Sequence, residues 1–133
     1  MAEELLTKQV PHSLEAEQAV LGSILIDSRC LMDMIGIVGP EDFYLQQNRE
    51  IYQTIYSMFN FGETIDPVTV LEKMRQLGVH HDNSRDYIMQ LMEITPTAAN
   101  AVRYARIVKD KAILRGLSDA STDISQMVQE QVG

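Results

Sequence analysis

The most constraining feature of this sequence is a stretch of about 34 residues, from Thr97 to Glu130, that contains no proline and a single glycine, Gly116. Strong helix formers fill much of its first two-thirds. As one helix it would be about 50 Å long at a rise of 1.5 Å per residue. Helices in globular proteins usually run for about 8–20 residues, so this stretch predicts a helix that projects from the body of the protein as an arm.

Two stripes of residues recur at helical spacing along this predicted arm. A body built from the preceding residues can cover only the near end of such a helix, so the far apolar positions require a returning helix or a second subunit. The small-residue stripe is Ala98, Ala101, Ala105, Val108, Ala112, Gly116 and Ala120. The bulky stripe is Tyr104, Ile107, Leu114, Leu117, Ile124 and Val128.

The stripes predict an interface between copies of the chain, because small residues allow close approach of helices and bulky ones fill the holes of a partner. The alternative is a helix that breaks near Gly116 and Ser118 and folds back on its own domain. The expected oligomer-interface residues are Ala101, Ala105, Val108, Ala112, Leu114, Leu117 and Ile124.

Residues 12–96 are predicted to form a head of about five short helices, after a leader at residues 1–11 and before a long helix at residues 97–133. Ser13 and Asp66 are good helix N-caps, and Pro67 follows Asp66 at the favoured first helical position. Gly78 is placed to end a helix. No segment alternates polar and apolar residues as a strand would, so the fold class is all-α. Phe43 and Tyr44 are expected to fill the core.

Charge is unevenly spread along the chain, whose net charge is −8. Residues 1–102 carry 15 acids and 6 bases, a net of −9, and residues 103–133 carry 5 bases and 4 acids, a net of +1. The acidic head disfavours nucleic-acid binding, which depends on Lys and Arg. Clustered bases on the long helix are typical of a solvated face, but an independent helical DNA-binding module remains an alternative. These bases are Arg103, Arg106, Lys109, Lys111 and Arg115.

The residues of a catalytic or cofactor site are not apparent in the sequence. No glycine precedes a lysine, as a phosphate-binding loop would require, and the spacing supports no Ser/His/Asp set. His12, His80 and His81 lack spaced partners for a metal. We therefore expect no catalytic, cofactor-binding or metal residue here, although a small helical enzyme stays open as an alternative without a positive feature.

The lone cysteine and the N-terminus indicate the compartment. Cys30 cannot form an intrachain disulfide and is expected to be a buried, inert thiol. The acidic start of the chain is unlike a signal peptide, and its apolar runs are too short to span a bilayer. The sequence predicts a cytoplasmic protein with no membrane partner.

Four blocks of sequence, in the same order as in that family, resemble the N-terminal domain of the bacterial replicative DNA helicases, the DnaB family. The resemblance extends from about Pro11 to Ile124. The blocks are residues 11–22 (PHSLEAEQAVLG), 40–44 (PEDFY), 66–70 (DPVTV) and 96–101 (PTAANA), the last followed by 104–108 (YARIV) and 114–115 (LR).

The resemblance implies a non-catalytic domain with a helical head and a helical hairpin, of which this chain would contain the first arm. The second arm, the linker and the RecA-like ATPase domain, which binds ATP and Mg, would lie in the rest of a longer protein. In the family, six such domains form a collar, a trimer of dimers, which docks primase. The implied partners are further copies of the chain and primase, with a helicase loader as a further candidate, while DNA would be contacted mainly by the absent domain.

The resemblance also suggests which residues meet primase, at the exposed junction of head and arm. The candidates are Glu15, Tyr87 and Ile124. The chain departs from the family pattern at Asn48, where a histidine is often found, and at Ser118, where an apolar contact residue would be expected.

Overall fold

A computed structural model of the protein describes the backbone of residues 10–132 and the side chains of residues 10–118. Within this part the chain forms helices and no strand, which confirms the all-α prediction. Two short 3-10 turns, Ser28–Cys30 and Pro40–Asp42, lie before and after the second helix. The α-helices are α1 (Leu14–Ile26), α2 (Leu31–Met34), α3 (Gln46–Asn60), α4 (Pro67–Leu77), α5 (Ser84–Glu93) and α6 (Ala101–Val132).

Local signals in the sequence set several helix ends. The Ser13 hydroxyl accepts a hydrogen bond from the amide of Ala16 at 3.2 Å and so caps α1. Asp66 and Thr69 exchange side chain–backbone hydrogen bonds of 2.9 Å at the start of α4, a capping box. Gly78 ends α4 with φ of 75°, a left-handed conformation that favours glycine. These predicted caps are confirmed.

The core of the head is built around α1, which packs against both α5 and α6. Val20, Leu21 and Ile24 of α1 are fully buried, and burial of each such side chain stabilises the fold by about 1.5–3 kcal/mol. The crossing of α1 with α5 is close at Gly22, where an added Cβ would lie 2.5 Å from the carbonyl oxygen of Leu91. The glycine is needed because the two backbones approach so closely.

Helix α6 begins four residues later than the sequence indicated. Residues 97–100 form a turn in which the Thr97 hydroxyl accepts a hydrogen bond from the amide of Ala99 at 3.1 Å, so the helix starts at Ala101 and not at Thr97. Thereafter α6 continues for 32 residues to Val132, straight through Gly116. The alternative of a break near Gly116 is wrong, and the helix extends for about 48 Å.

Tyr44 does not fill the core as expected. Phe43 is fully buried beside it, but Tyr44 is 41% exposed. Its ring stacks on the ring of His12, with the centroids 4.4 Å apart, and the guanidinium carbon of Arg115 on α6 lies 5.5 Å from the centroid of the Tyr44 ring.

None of the helices in the described part combines the length and apolarity that crossing a membrane requires.

Candidate interaction surfaces

The near end of α6 belongs to the head. Ala101, Ala105 and Val108 are at most 2% exposed and lie within the hydrophobic core, where α6 packs on α1. They therefore have no surface to offer a second subunit, and the predicted interface is corrected at these three positions. Their small side chains instead allow α6 to approach the head closely.

Beyond the head, α6 carries an exposed apolar face. Leu114 is 47% exposed and Leu117 is 61% exposed, while Ala112 is half-buried. Ile113, which neither predicted stripe contained, is 50% exposed and lies four residues before Leu117, on the same side of the helix. We call Ile113, Leu114 and Leu117 the apolar arm face. The predicted contact Ile124 lies beyond the residues whose side chains the structure describes.

Two of the three primase candidates, Glu15 and Tyr87, lie on either side of Gln18 of α1. Glu15 is exposed one turn before Gln18, and the Gln18 amide nitrogen lies 3.4 Å from the hydroxyl oxygen of Tyr87 on α5. A cleft of about 290 Å³ beside them is lined by Glu15, Gln18 and Tyr104 together with the 94–97 segment and Asn100. The third candidate, Ile124, falls outside the described side chains.

Tyr87 is held from inside the head. It is half-buried, and its hydroxyl donates a hydrogen bond to the side-chain oxygen of Asn48, which is fully buried on α3. Burial raises the pKa of the Tyr87 hydroxyl, so the phenol stays protonated and can donate. The departure at Asn48 thus has a structural role, because the amide can accept from Tyr87 and donate elsewhere at once.

A buried carboxylate, which sequence reasoning did not single out, organises this part of the head. Glu17 is 1% exposed, and it accepts hydrogen bonds from the amides of Tyr44 and Leu45, at 2.7 and 3.3 Å, and from the Asn48 side chain at 3.0 Å. These donors lie at the N-terminus of α3, where unpaired amides and the helix dipole favour a negative charge. Glu17 of α1 therefore fixes the segment that leads into α3.

Two of the five clustered bases of α6 are bound to the head. Lys109 forms an ion pair with Asp42, with nitrogen–oxygen distances of 3.3 and 3.4 Å. Arg115 donates to the carbonyl oxygens of Pro11 and Asp42 at 2.8 and 2.5 Å. Arg103 and Arg106 are exposed. The basic residues do not form one free face, which weakens the case for a DNA-binding module.

No three His, Cys, Asp or Glu side chains come together as a metal site in the residues with described side chains. Burial raises the pKa of the Cys30 thiol to about 11, so that thiol is a poor nucleophile near neutral pH.

These features define a class of protein, an all-α domain with a compact head and a projecting helical arm. The chain belongs to the DnaB-like helicase N-terminal domain family, whose model matches residues 9–110. The resemblance stated from the four sequence blocks is thereby confirmed.

Curated relatives agree with this assignment. The chain is 39% identical over 118 residues to the replicative DNA helicase DnaB of Leifsonia xyli. The aligned region covers 88% of this chain and 26% of that protein. It is 37% identical over 130 residues to the replicative DNA helicase DnaB of Geobacillus stearothermophilus. That aligned region covers 92% of this chain and 28% of that protein. The chain thus spans roughly a quarter of the length of these relatives.

Two solved structures share the fold. The N-terminal domain of DnaB helicase from Mycobacterium tuberculosis superposes with a TM-score of 0.82 at 37% identity, covering 89% of this chain and 86% of that one. The N-terminal domain of DnaB helicase from Helicobacter pylori, a structure described together with its interactions with primase, gives a TM-score of 0.74, covering 97% of this chain and 99% of that one. At 18% identity the second match supports the fold alone.

Proposed function

We propose that this chain is the non-catalytic assembly and primase-docking domain of a replicative DNA helicase, within a hexameric collar built as a trimer of dimers. ATP hydrolysis with Mg and strand unwinding would belong to another part of the full-length protein. The observation that carries the proposal is the apolar arm face, which the described head leaves exposed on a continuous helix. Apolar surface of this kind marks a site of contact with another helix or subunit.

Self-association is tested at Leu117, the most exposed residue of the apolar arm face. Leu117→Glu places a charge where a partner helix would bury a leucine, so the dissociation constant should rise at least about tenfold. Sedimentation velocity over a range of concentrations measures it. The same change at Val68, which is 76% exposed on α4 of the head, is the matched control and should leave association unaltered. Equal association of Leu117→Glu and the unmodified chain would contradict the assembly role.

Primase docking is tested at Glu15. Its exposed carboxylate lies beside Gln18 and Tyr87, at the cleft between α1 and the start of α6. Glu15→Lys reverses the charge there without touching the core, so affinity for a bacterial primase should fall about tenfold in a calorimetric titration. Glu72→Lys, on the exposed surface of α4, is the control for charge reversal alone. If both variants bind primase as tightly as the unmodified chain, Glu15 does not belong to the docking surface.

A further inference from the structure

Helix α6 is held to the head in two separate zones. In the first, Ala101, Ala105 and Val108 are buried in the core. In the second, the polar side chains of Lys109 and Arg115 reach back to the head while the neighbouring Leu114 is exposed. The first zone covers only about two turns of the helix, so on its own it gives a short base for an arm that continues to Val132.

Arg115 makes the contacts of the second zone that lie farthest along the arm. One nitrogen of its guanidinium donates to the carbonyl of Pro11 and another donates to the carbonyl of Asp42, at 2.8 and 2.5 Å. The guanidinium carbon also lies 5.5 Å from the centroid of the Tyr44 ring, a cation–π distance. These three partners come from two separate segments, Pro11 just before α1 and residues 42–44 just before α3, so Arg115 joins the arm to both.

Tyr44 is itself held at two points, its ring and its backbone amide. His12 stacks on the ring with the planes inclined by 18°, and the backbone amide of Tyr44 is bound by the buried carboxylate of Glu17. Asp42 is fixed as well, because its carboxylate accepts from the amide of Gly39 at 2.8 Å and pairs with Lys109. Arg115 therefore binds a preorganised surface of the head.

The geometry points to Arg115 as a positioning residue that fixes the angle between the arm and the head, and through that angle the geometry in which copies of the chain assemble. The assembly part of this inference rests on the proposed function. In a closed symmetric oligomer, equivalent subunits repeat the same interface geometry. From Val108 to Val132 the helix spans about 36 Å, so a tilt of only about 10° at the head moves its end by about 6 Å.

A lysine could not replace Arg115 in this role. The two hydrogen bonds diverge from one planar group to carbonyls of different segments, and the same group lies over an aromatic ring. A lysine ammonium carries its three N–H donors on one nitrogen and has no planar group, so it lacks the fixed pair of separated donors and the flat face that Arg115 presents. Arg115→Lys retains the charge and helix propensity of the side chain, so it separates the positioning role from net charge and folding.

The experiment measures the distance between a spin label on the head and one on the far part of α6, by pulsed electron paramagnetic resonance. Labels are attached at Val68→Cys and Gln126→Cys in a Cys30→Ser background, and labelled chains are diluted with unlabelled ones so that only distances within a chain are recorded. The unmodified chain should give one narrow distribution. Arg115→Ala and Arg115→Lys should each broaden or shift it by about 5 Å, as a tilt of about 10° requires.

Arg106→Ala, which removes an exposed base of the same helix, is the matched control and should leave the distribution unchanged. Tyr44→Phe keeps the ring beneath the guanidinium and should also behave like the unmodified chain, while Tyr44→Leu should broaden the distribution. Far-UV circular dichroism checks that each variant is folded. A narrow, unshifted distribution in both Arg115 variants would overturn the inference.

The distance measurement is independent of self-association, so it separates this inference from the proposed function. If the unmodified chain associates, Arg115→Ala should still associate but should sediment as a mixture of sizes. A loss of association in Leu117→Glu with no effect of Arg115→Ala on distance or size would support assembly and reject the positioning role. A distance change in a chain that stays monomeric at every concentration would support the role of Arg115 in setting the angle and reject assembly.

Discussion

The carboxylate of Glu17 accepts a hydrogen bond from the backbone amide of Tyr44, 27 residues later in the chain, at 2.7 Å. Because Glu17 is almost fully buried, its charge is separated from water, and the three N–H donors around it replace the lost hydration. The contact joins α1 to the start of α3 and fixes the segment that carries Asp42 and Tyr44. The surface to which Arg115 binds thus depends on the Glu17 side chain, which is buried inside the head.

Replacement of this carboxylate should be costly even when its shape is kept. Glu17→Gln puts an amide NH₂ group where two backbone amides and the Asn48 side chain already donate, so at least one buried donor loses its acceptor. We expect the free energy of unfolding to fall by about 2–3 kcal/mol, measured by urea denaturation. Glu15→Gln, on the exposed side of the same turn, should change it by less than about 0.5 kcal/mol. Equal stabilities of the two variants would show that the buried carboxylate is dispensable.

The close crossing of α1 and α5 should not tolerate a methyl group. In Gly22→Ala the new Cβ would overlap the Thr95 hydroxyl and lie 2.5 Å from the Leu91 carbonyl, a backbone atom that cannot rotate away. The expected loss is about 1–3 kcal/mol in the free energy of unfolding, from overpacking. Gly36→Ala is the control, since an added Cβ there meets nothing within 4 Å. A stability of Gly22→Ala equal to that of Gly36→Ala would mean that the helices can separate at little cost.

Stability should decline in alkali in part because of Tyr52. Its hydroxyl is buried and donates to the carbonyl of Val38 at 2.7 Å, and burial raises the pKa of the Tyr52 phenol above its value near 10 in an unfolded chain. The folded state then holds this proton more tightly, so the contribution is fully present below about pH 10. Above that pH it is lost at up to about 1.4 kcal/mol per pH unit until the phenol ionises in the folded state too.

The measurement for Tyr52 is urea denaturation at a series of pH values between 7 and 11. Tyr52→Phe should be less stable by about 1–2 kcal/mol at pH 7, because the Val38 carbonyl loses its donor, but should fall less steeply above about pH 10. Tyr104→Phe, at a half-buried position on α6, is the comparison and should keep the steep alkaline decline of the unmodified chain. Parallel curves for Tyr52→Phe and the unmodified chain would contradict this account.

The features that the sequence predicted well are helix ends, which depend on residues close together in the chain. Ser13, Asp66 and Gly78 act within a few residues of themselves, so their side chains and backbone preferences were sufficient to place helix ends. The start of α6 was misplaced because Thr97 stabilises a turn by a bond to Ala99, which competes with the first turn of a helix. An uninterrupted apolar and small-residue pattern was enough to predict the long helix itself.

What the sequence did not predict depends on residues far apart in the chain. Tyr44 was assigned to the core on its apolar character, but Arg115, 71 residues later, provides a partner that makes exposure of the ring favourable. The importance of Asn48 depends equally on its distant partners, Glu17 and Tyr87. Neither the contact of Tyr44 with Arg115 nor the contacts of Asn48 produce a periodic pattern in the sequence. These contacts could therefore be described only from the structure.

The burial of Ala101, Ala105 and Val108 divides one uninterrupted helix into two stretches under different structural constraints. Changes in the first stretch alter the folding of a single chain, whereas changes at Ile113, Leu114 and Leu117 leave that interior intact. Under the proposed assembly role, a protein engineer could change these three residues to make copies that recognise only one another. Arg115, which binds the head from within the second stretch, would be kept.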